Sequence, residues 1–470
     1  MNAMKQVLYF GFSTLALKGL GFALLPISTR LLTQSQFGEL NFLVSISAVL
    51  SLLLCLGLPE LIFKQQSANP KQKLALFRDS ILLSILINGL FLITTLMFTE
   101  PLLSLLPVAL NPIDIKFLAI NLVLSSALTI LFCYLRYYEM AKHFLWLALL
   151  QGISQTTITI TFLYLGYGVT GVMASGILAS LLTLVVTTSI VLKNITISFN
   201  VIKWTISYKD TLFLCSIIMS SLFVYTNNGA ENWFIVESVG KEKLAQYYVA
   251  LQFAIMTSFT FEPIRMWWFS RRFKELSACP KNYVYLCELS LDIGILLCTI
   301  MLVLTPFVFT LVLPSNYLLN SWLLPSLICI VVLRHHSDLL NIGCYIHRNG
   351  FYVSAVNGIS ALTALILLVI LVPLKGILGA VIALFIAQLI KTLLFFFISQ
   401  KLEKLPYSIK RLIPSWVGFS TIYLLSISQL EHLLLWQVAF FTIYTAALFK
   451  KYKSPIRTAL NTLFERSAHD

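Results

Sequence analysis

The sequence predicts an all-α, polytopic membrane protein of about fourteen transmembrane helices, arranged as two six-helix lobes followed by two further helices. Of its 470 residues, 58% are hydrophobic and 11% charged, whereas a soluble domain of ordinary make-up carries about 25% charged residues. Apolar runs recur along the whole chain, each long enough to cross a hydrocarbon core of ~30 Å at ~1.5 Å per residue. The second half of the chain also repeats part of the first, and no long polar stretch is left over to fold as a separate soluble domain.

Turn residues and charges divide the chain into spans near 7–29, 39–62, 78–99, 115–135, 143–165, 170–192, 211–230, 244–266, 285–312, 319–346, 351–373, 376–399, 412–429 and 432–449. The first follows a single early lysine, Lys5, and is too long for a cleaved signal, so it reads as a retained span. The longest outer connections fall near 100–114 and 231–243. With the N-terminus inside, the inner connections and tails collect 24 lysines and arginines. The outer side receives five: Arg30, Lys116, Lys241, Lys243 and Lys375. That excess is the positive-inside signature and puts both termini in the cytoplasm. The net charge of +14 therefore reads as topology control, with no nucleic-acid partner expected. Eight cysteines lie mostly within apolar runs and form no CxxC pair, so neither a disulfide framework nor a metal site is indicated.

The repeat appears when the segment from His143 is set beside the segment from Gly350. Phe144 then falls on Phe351, Gly168 on Gly376 and Gly171 on Gly379, an offset of 207 or 208 residues. The shared element is a helical hairpin whose short turn needs permissive backbone angles and whose second helix packs closely, both of which suit glycine. A weaker echo links QSQFGELNFLVSI to KEKLAQYYVALQF. Six spans separate the equivalents, so the halves share one orientation about an axis along the membrane normal. The expected division is 1–200 and 201–402 for the two lobes, then 403–470 for two added helices and a cytoplasmic tail.

Four segments carry a family likeness. ALLPISTRLLTQSQFGELNFLVSISAVLSLLLCLGLPELIFKQ contains a P-x-x-T-R-x-L pattern, an FGE and a GLPE turn; YYEMAKHFLWLALLQ, Ile346–Phe351 and VPLKGILGAVIALFIAQLI follow in order. Together, across spans 1 to 12, they resemble the O-antigen flippases, the polysaccharide-unit transporters of the multidrug/oligosaccharidyl-lipid/polysaccharide exporter superfamily, with their MATE-like fold. The resemblance implies movement of an undecaprenyl-diphosphate-linked oligosaccharide from the cytoplasmic to the periplasmic leaflet of a bacterial inner membrane. It also implies alternating access through a polar, often cationic cavity, no cofactor, and a polysaccharide polymerase and chain-length regulator as partners beside the membrane lipids.

Ionisable groups within spans cost ~2.5–3.5 kcal/mol each at mid-bilayer and should face the bundle interior or water. They are Lys18, Glu60, Glu262, Arg265, Asp292, Arg334, His335, His336, Asp338 and Lys391. Lys18, beside Gly19 and Gly21, either offers its ammonium to a diphosphate or acidic sugar or pairs with a carboxylate such as Asp292. Arg30, after Pro26, is a gate or an interface anchor. Glu262 and Arg265 stand three residues apart and can neutralise each other; with Asp292 they are candidate coupling or gating residues. Arg334 and Asp338, four apart, share a face with Asn341 and Tyr345, and His335 lies three residues from Asp338. Two readings stay open: an ion pair inside one helix, or a cavity wall where Arg334 meets an anion and His335 or Asp338 changes protonation. Met266–Phe269 beside Arg271 and Arg272 fit an interfacial belt. The polar run Asn227–Asn232 is either an exposed helix terminus or a glycan contact.

A cation-coupled drug exporter or a lipid II flippase would have the same fold. A membrane-embedded polymerase or glycosyltransferase would need a larger outer loop, and no DxD, H-E-x-x-H, G-x-S-x-G or phosphate-loop pattern occurs. The chain is therefore not expected to be an enzyme.

Overall fold

The computed structural model describes residues 3–64, 70–194, 206–314, 317, 320–346, 351–428 and 433–467. Among them every regular element is helical. The order is α1 (Ala3–Leu31), α2 (Gln34–Leu54), α3 (Leu58–Lys64), α4 (Pro70–Met97), α5 (Thr99–Ser104), α6 (Pro112–Tyr137), α7 (Ala141–Tyr164), α8 (Gly168–Asn194) and α9 (Tyr208–Thr226). There follow α10 (Glu231–Ala278), α11 (Pro280–Val312), α12 (Leu323–Leu339), α13 (Ile342–Ile346), α14 (Phe351–Lys375), α15 (Ile377–Leu402), α16 (Ile409–Ile427) and α17 (Leu433–Ser467). Nine helices among the described residues are long and apolar enough to cross a membrane.

Several of these helices start where the sequence satisfies their free N–H groups. Thr33 and Gln36 form a reciprocal capping box at α2, and Ser207 and Asp210 form another at α9. Asn111 caps α6, with Pro112 placed where no N–H is needed. The packing then inverts the pattern of a soluble helix. On α4, Ile85, Leu86, Leu90 and Ile93 are outward and exposed, while Asp79, Ser84 and Asn88 are buried. Asn88 Nδ2 donates to the Ser84 carbonyl (2.8 Å) and to Ser126 Oγ of α6 (3.1 Å), so the donors of its amide are satisfied inside the bundle. An apolar outer face with an internally bonded polar one is the arrangement a hydrocarbon solvent selects.

Four expectations about segment boundaries are corrected. The second span is broken: Leu56 (φ 54°) and Gly57 (φ 66°) adopt left-handed angles, ending α2 and starting α3. The tenth is interrupted at Leu340 and Asn341, between α12 and α13. The connection near 231–243 is mostly helix, kinked at Gly240 (φ 85°) within α10. Helix α17 continues to Ser467 where a tail was expected. The basic turn His347–Gly350 lies outside the described residues.

By contact the chain forms two compact units, Met1–Val249 with Asn357–Leu384, and Ala250–Val356 with Phe385–Asp470. In the first, Leu58, Leu61, Phe77, Cys133, Tyr134 and Leu135 centre the core. The repeat glycines behave alike: Gly168 has φ 58° and Gly376 φ 57°. A Cβ on Gly171 would press on Phe162 and Tyr167, and one on Gly379 would fall on the Leu371 carbonyl. Of the run Asn227–Asn232, read either as an exposed helix terminus or as a glycan contact, Asn227, Gly229, Glu231 and Asn232 are buried and Asn228 is exposed. Asn227 Oδ1 accepts from Ser360 (2.9 Å) and Glu231 Oε1 from Tyr247 (3.1 Å), so this patch is packing.

In the second unit, Trp268, Tyr283, Cys287, Leu291 and Leu339 form the core. Two buried carboxylates one turn apart on α11 hold the last two helices. Glu288 accepts the Ser408 N–H (2.8 Å) and Arg411 Nη1 (3.4 Å). Asp292, 1% exposed, accepts from Ser415 Oγ (2.5 Å) and from the Lys451 ammonium. Stranding one partner of such a buried pair costs about 3–5 kcal/mol, whereas replacing both by apolar groups is often neutral. Asp292→Ala is therefore expected to lower the melting temperature in detergent strongly, and Asp292→Leu combined with Lys451→Met to recover much of the loss.

Candidate functional site

The part of α10 after Ala250 carries Glu262 and Arg265 one turn apart, so both point along one face. Arg265 Nη2 donates to Glu262 Oε1 at 2.7 Å, and its Nη1 donates to Asp338 Oδ2 on α12 at 3.2 Å. One guanidinium is thus shared by two carboxylates, and the pair read along α10 extends across to a second helix. Arg334, one turn before Asp338, is half-buried, as is Lys391 of α15, which lies within the electrostatic reach of both. Among the described residues named here, three cations stand against two carboxylates.

Helix α15 is joined to α12 directly. Gln388 Nε2 donates to Ser337 Oγ (3.2 Å), and Thr392 Oγ1 to the Leu333 carbonyl (3.0 Å). These bonds fix the rotation of α12, so that Arg334 and Asp338 share the face that carries Arg265. The same rotation buries the two histidines, which are 2% and 4% exposed. Because a carbonyl only accepts, His335 donates from Nε2 to Ser290 O (3.1 Å) and His336 from Nδ1 to Val332 O (2.8 Å). The other nitrogen of each ring, His335 Nδ1 and His336 Nε2, is buried without a partner. The His335 ring lies 4.5 Å from Phe261 and fits only because Gly294 has no side chain, since a Cβ there would strike it. The His336 ring lies 5.1 Å from that of Trp416, tilted against it.

The candidates are therefore distributed unevenly. Glu262, Arg265, Arg334 and Asp338 come together with Lys391, and His335 backs them. Asp292 belongs to the clasp that holds α16 and α17. Lys18 and Arg30 are on α1 in the first unit, both exposed, with open space around Gly19 and Gly21. Sequence reasoning left out Glu288, although its spacing of four from Asp292 was visible. It assigned Arg272 to an interfacial belt, whereas the structure buries it against Asn341.

A polar face built into apolar helices finds its context in known proteins. The family model described as polysaccharide biosynthesis protein matches residues 3–269. The chain belongs to that family. Its fold is also that of solved transporters. The lipid II flippase MurJ, in an inward closed conformation, aligns at TM-score 0.72 and 16% identity over 96% of this chain and 100% of that one. A multidrug resistance MATE family transporter of the MOP superfamily, inward-facing, aligns at TM-score 0.60 and 15% identity over 84% and 94%. A MOP superfamily transporter from Pyrococcus furiosus, whose reversed pocket polarity suggests a different function, aligns at 0.54 and 15% over 85% and 96%. At these identities the likeness establishes the fold. No curated protein sequence matches. The chain is thus a multi-pass membrane protein of a polysaccharide biosynthesis family with the fold of flippases and exporters.

The shared guanidinium gives a direct expectation. Contacting residues in one ion network couple by 0.5–3 kcal/mol, so Arg265→Met, Asp338→Asn and their double variant should melt non-additively. The double variant is expected to be more stable than the sum of the single losses allows, as thermal unfolding in detergent would measure.

Proposed function

We propose that the protein flips undecaprenyl-diphosphate-linked oligosaccharide repeat units, of O-antigen type, from the cytoplasmic to the periplasmic leaflet of a bacterial inner membrane. The observation that carries this reading is the net-positive face of Arg265, Arg334 and Lys391, set among apolar helices in a polysaccharide biosynthesis family. A diphosphate is the part of such a cargo that most needs a cationic path, and guanidinium forks match its oxygens. Glu262 and Asp338 then compete with the cargo for Arg265. Protonating one of them frees a donor, which is a route by which ion coupling enters. Transport proceeds by alternating exposure of this face to the two sides of the membrane, with no covalent step on the protein. In this reading residues 1–200 and 201–402 act as repeat lobes, 403–470 as added helices, and both termini are cytoplasmic. A polymerase and a chain-length regulator take over the flipped unit.

The MurJ likeness over 96% of this chain and all of that one favours lipid II as the cargo in a second reading. Deletion separates the two, because the lipid-linked species that accumulates on the cytoplasmic leaflet names the cargo. An oligosaccharide unit is expected; a muramyl peptide would establish the second reading, and no accumulation would remove both. Lys18→Gln and Arg334→Gln should each abolish surface polysaccharide while membrane abundance stays normal, and lost abundance would mark a structural role. In proteoliposomes the flipping rate should respond to an imposed pH gradient, and that response should vanish in Asp338→Asn; an unresponsive rate would sink proton coupling.

A further inference from the structure

Arg272 lies seven residues beyond Arg265 on α10, two helical turns or about 10 Å along the axis. It is 5% exposed, yet among the described residues it joins no ion pair. Its single hydrogen bond runs from Nη1 to Asn341 Oδ1 at 3.2 Å, at the break between α12 and α13. Its Nε is buried with no partner. Asp338 acts on it only through space, its carboxylate being bound to Arg265. Three aromatic rings surround the guanidinium: Phe269 at 4.2 Å, Tyr345 at 4.7 Å and Phe273 at 5.0 Å.

Such a group is expensive. A buried cation is ordinarily neutralised by an acid, and ring faces replace only part of the lost hydration. Burial also pulls the Arg272 guanidinium below its ordinary pKa, although it stays charged at any physiological pH. The edge bearing Nε and Nη2, the geometry that receives an oxyanion in bidentate fashion, makes no hydrogen bond among the described residues. Asn341 holds the other side of the fork and so orients that edge.

We propose that this box is a phosphate-oxyanion subsite, two turns from the Arg265 face, at which a phosphate or diphosphate group docks before reaching the mid-membrane cations. That the anion arrives on a lipid-linked sugar rests on the function proposed above; that the site takes a phosphate does not. Exposed Tyr345 forms one wall of the box.

The test uses the full-length protein in detergent, with inorganic pyrophosphate as one probe and micelles doped with phosphatidylglycerol as the other. Without either, Arg272→Met should melt higher than wild type, because an uncompensated buried charge has been removed. Pyrophosphate should raise the wild-type melting temperature through mass action, and Arg272→Met and Arg272→Gln should bind it roughly tenfold or more weakly. Arg272→Lys, which keeps the charge and loses the fork, should fall between. An Arg272-dependent response to pyrophosphate assigns the site to a diphosphate, and one to phosphatidylglycerol alone assigns it to a lipid headgroup; either supports the subsite. Binding of both probes unchanged in Arg272→Met and Arg272→Gln would overturn it, and so would a lowered melting temperature with unchanged binding, which would make Arg272 an anchor for Asn341. If pyrophosphate binds through Arg272 but deletion accumulates no lipid-linked oligosaccharide, the subsite stands and the cargo assignment falls.

Discussion

A charged side chain among membrane helices persists only where another protein group or water takes the place of its hydration, and that constraint orders the second unit. Arg265 meets it by lying between Glu262 and Asp338, tying α10 to α12 through one planar donor. The unit deals with its charges in two ways. Around Asp292 and Glu288, the carboxylates accept from a lysine, an arginine, a hydroxyl and a backbone N–H, so each buried negative charge is met. Around Arg265, Arg334, Lys391 and Arg272 the cations outnumber the acids. The first arrangement holds helices together; the second gathers an excess of cations, which is what the anionic cargo proposed above would require.

Much of the fold was legible because the solvent writes it into composition. Hydrocarbon demands long apolar helices with internally bonded backbones, so hydropathy and charge bias located the segments, while the caps at Thr33, Asn111 and Ser207 emerged only with the structure. The repeat glycines were legible for a backbone reason, and Gly168 and Gly376 share nearly the same positive φ. The breaks at Leu56–Gly57 and Leu340–Asn341 were not. Hydropathy averages over residues and is blind to a local change of dihedral angle, all the more when the residues at the break are mostly as apolar as their neighbours.

Partner choice was legible only within a helix. The Glu262–Arg265 pair follows from a spacing of three, but Asp338 lies 73 residues from its arginine and Lys451 lies 159 from its carboxylate. Pairing Asp338 with Arg334 was the local option, and Lys18 was a candidate partner for Asp292. The structure gives Asp338 to Arg265, and Asp292 to Lys451 and Ser415. His335 shows the same limit: its environment depends on Gly294 and Ser290 of α11, which no periodicity along α12 could reveal.

The repeat makes the charged face more informative than its residues alone. At the repeat offsets of 207 and 208, Arg334 and Asp338 correspond to Ala127 and Leu131 or to Ser126 and Ile130; Glu262 and Arg265 correspond to Cys55 and Leu58 or to Leu54 and Gly57. None of these counterparts carries a charge at neutral pH. A charge needed only to orient a span or to stabilise the shared scaffold would serve both copies equally, because both cross the same membrane in the same expected orientation. In the two-lobe reading proposed above, charges confined to one copy answer to something that lacks the symmetry of the repeat. A cargo with a single anionic head and an otherwise neutral or apolar body is asymmetric in that way, and a scaffold with two similar halves can bind it only if one half is specialised for the head.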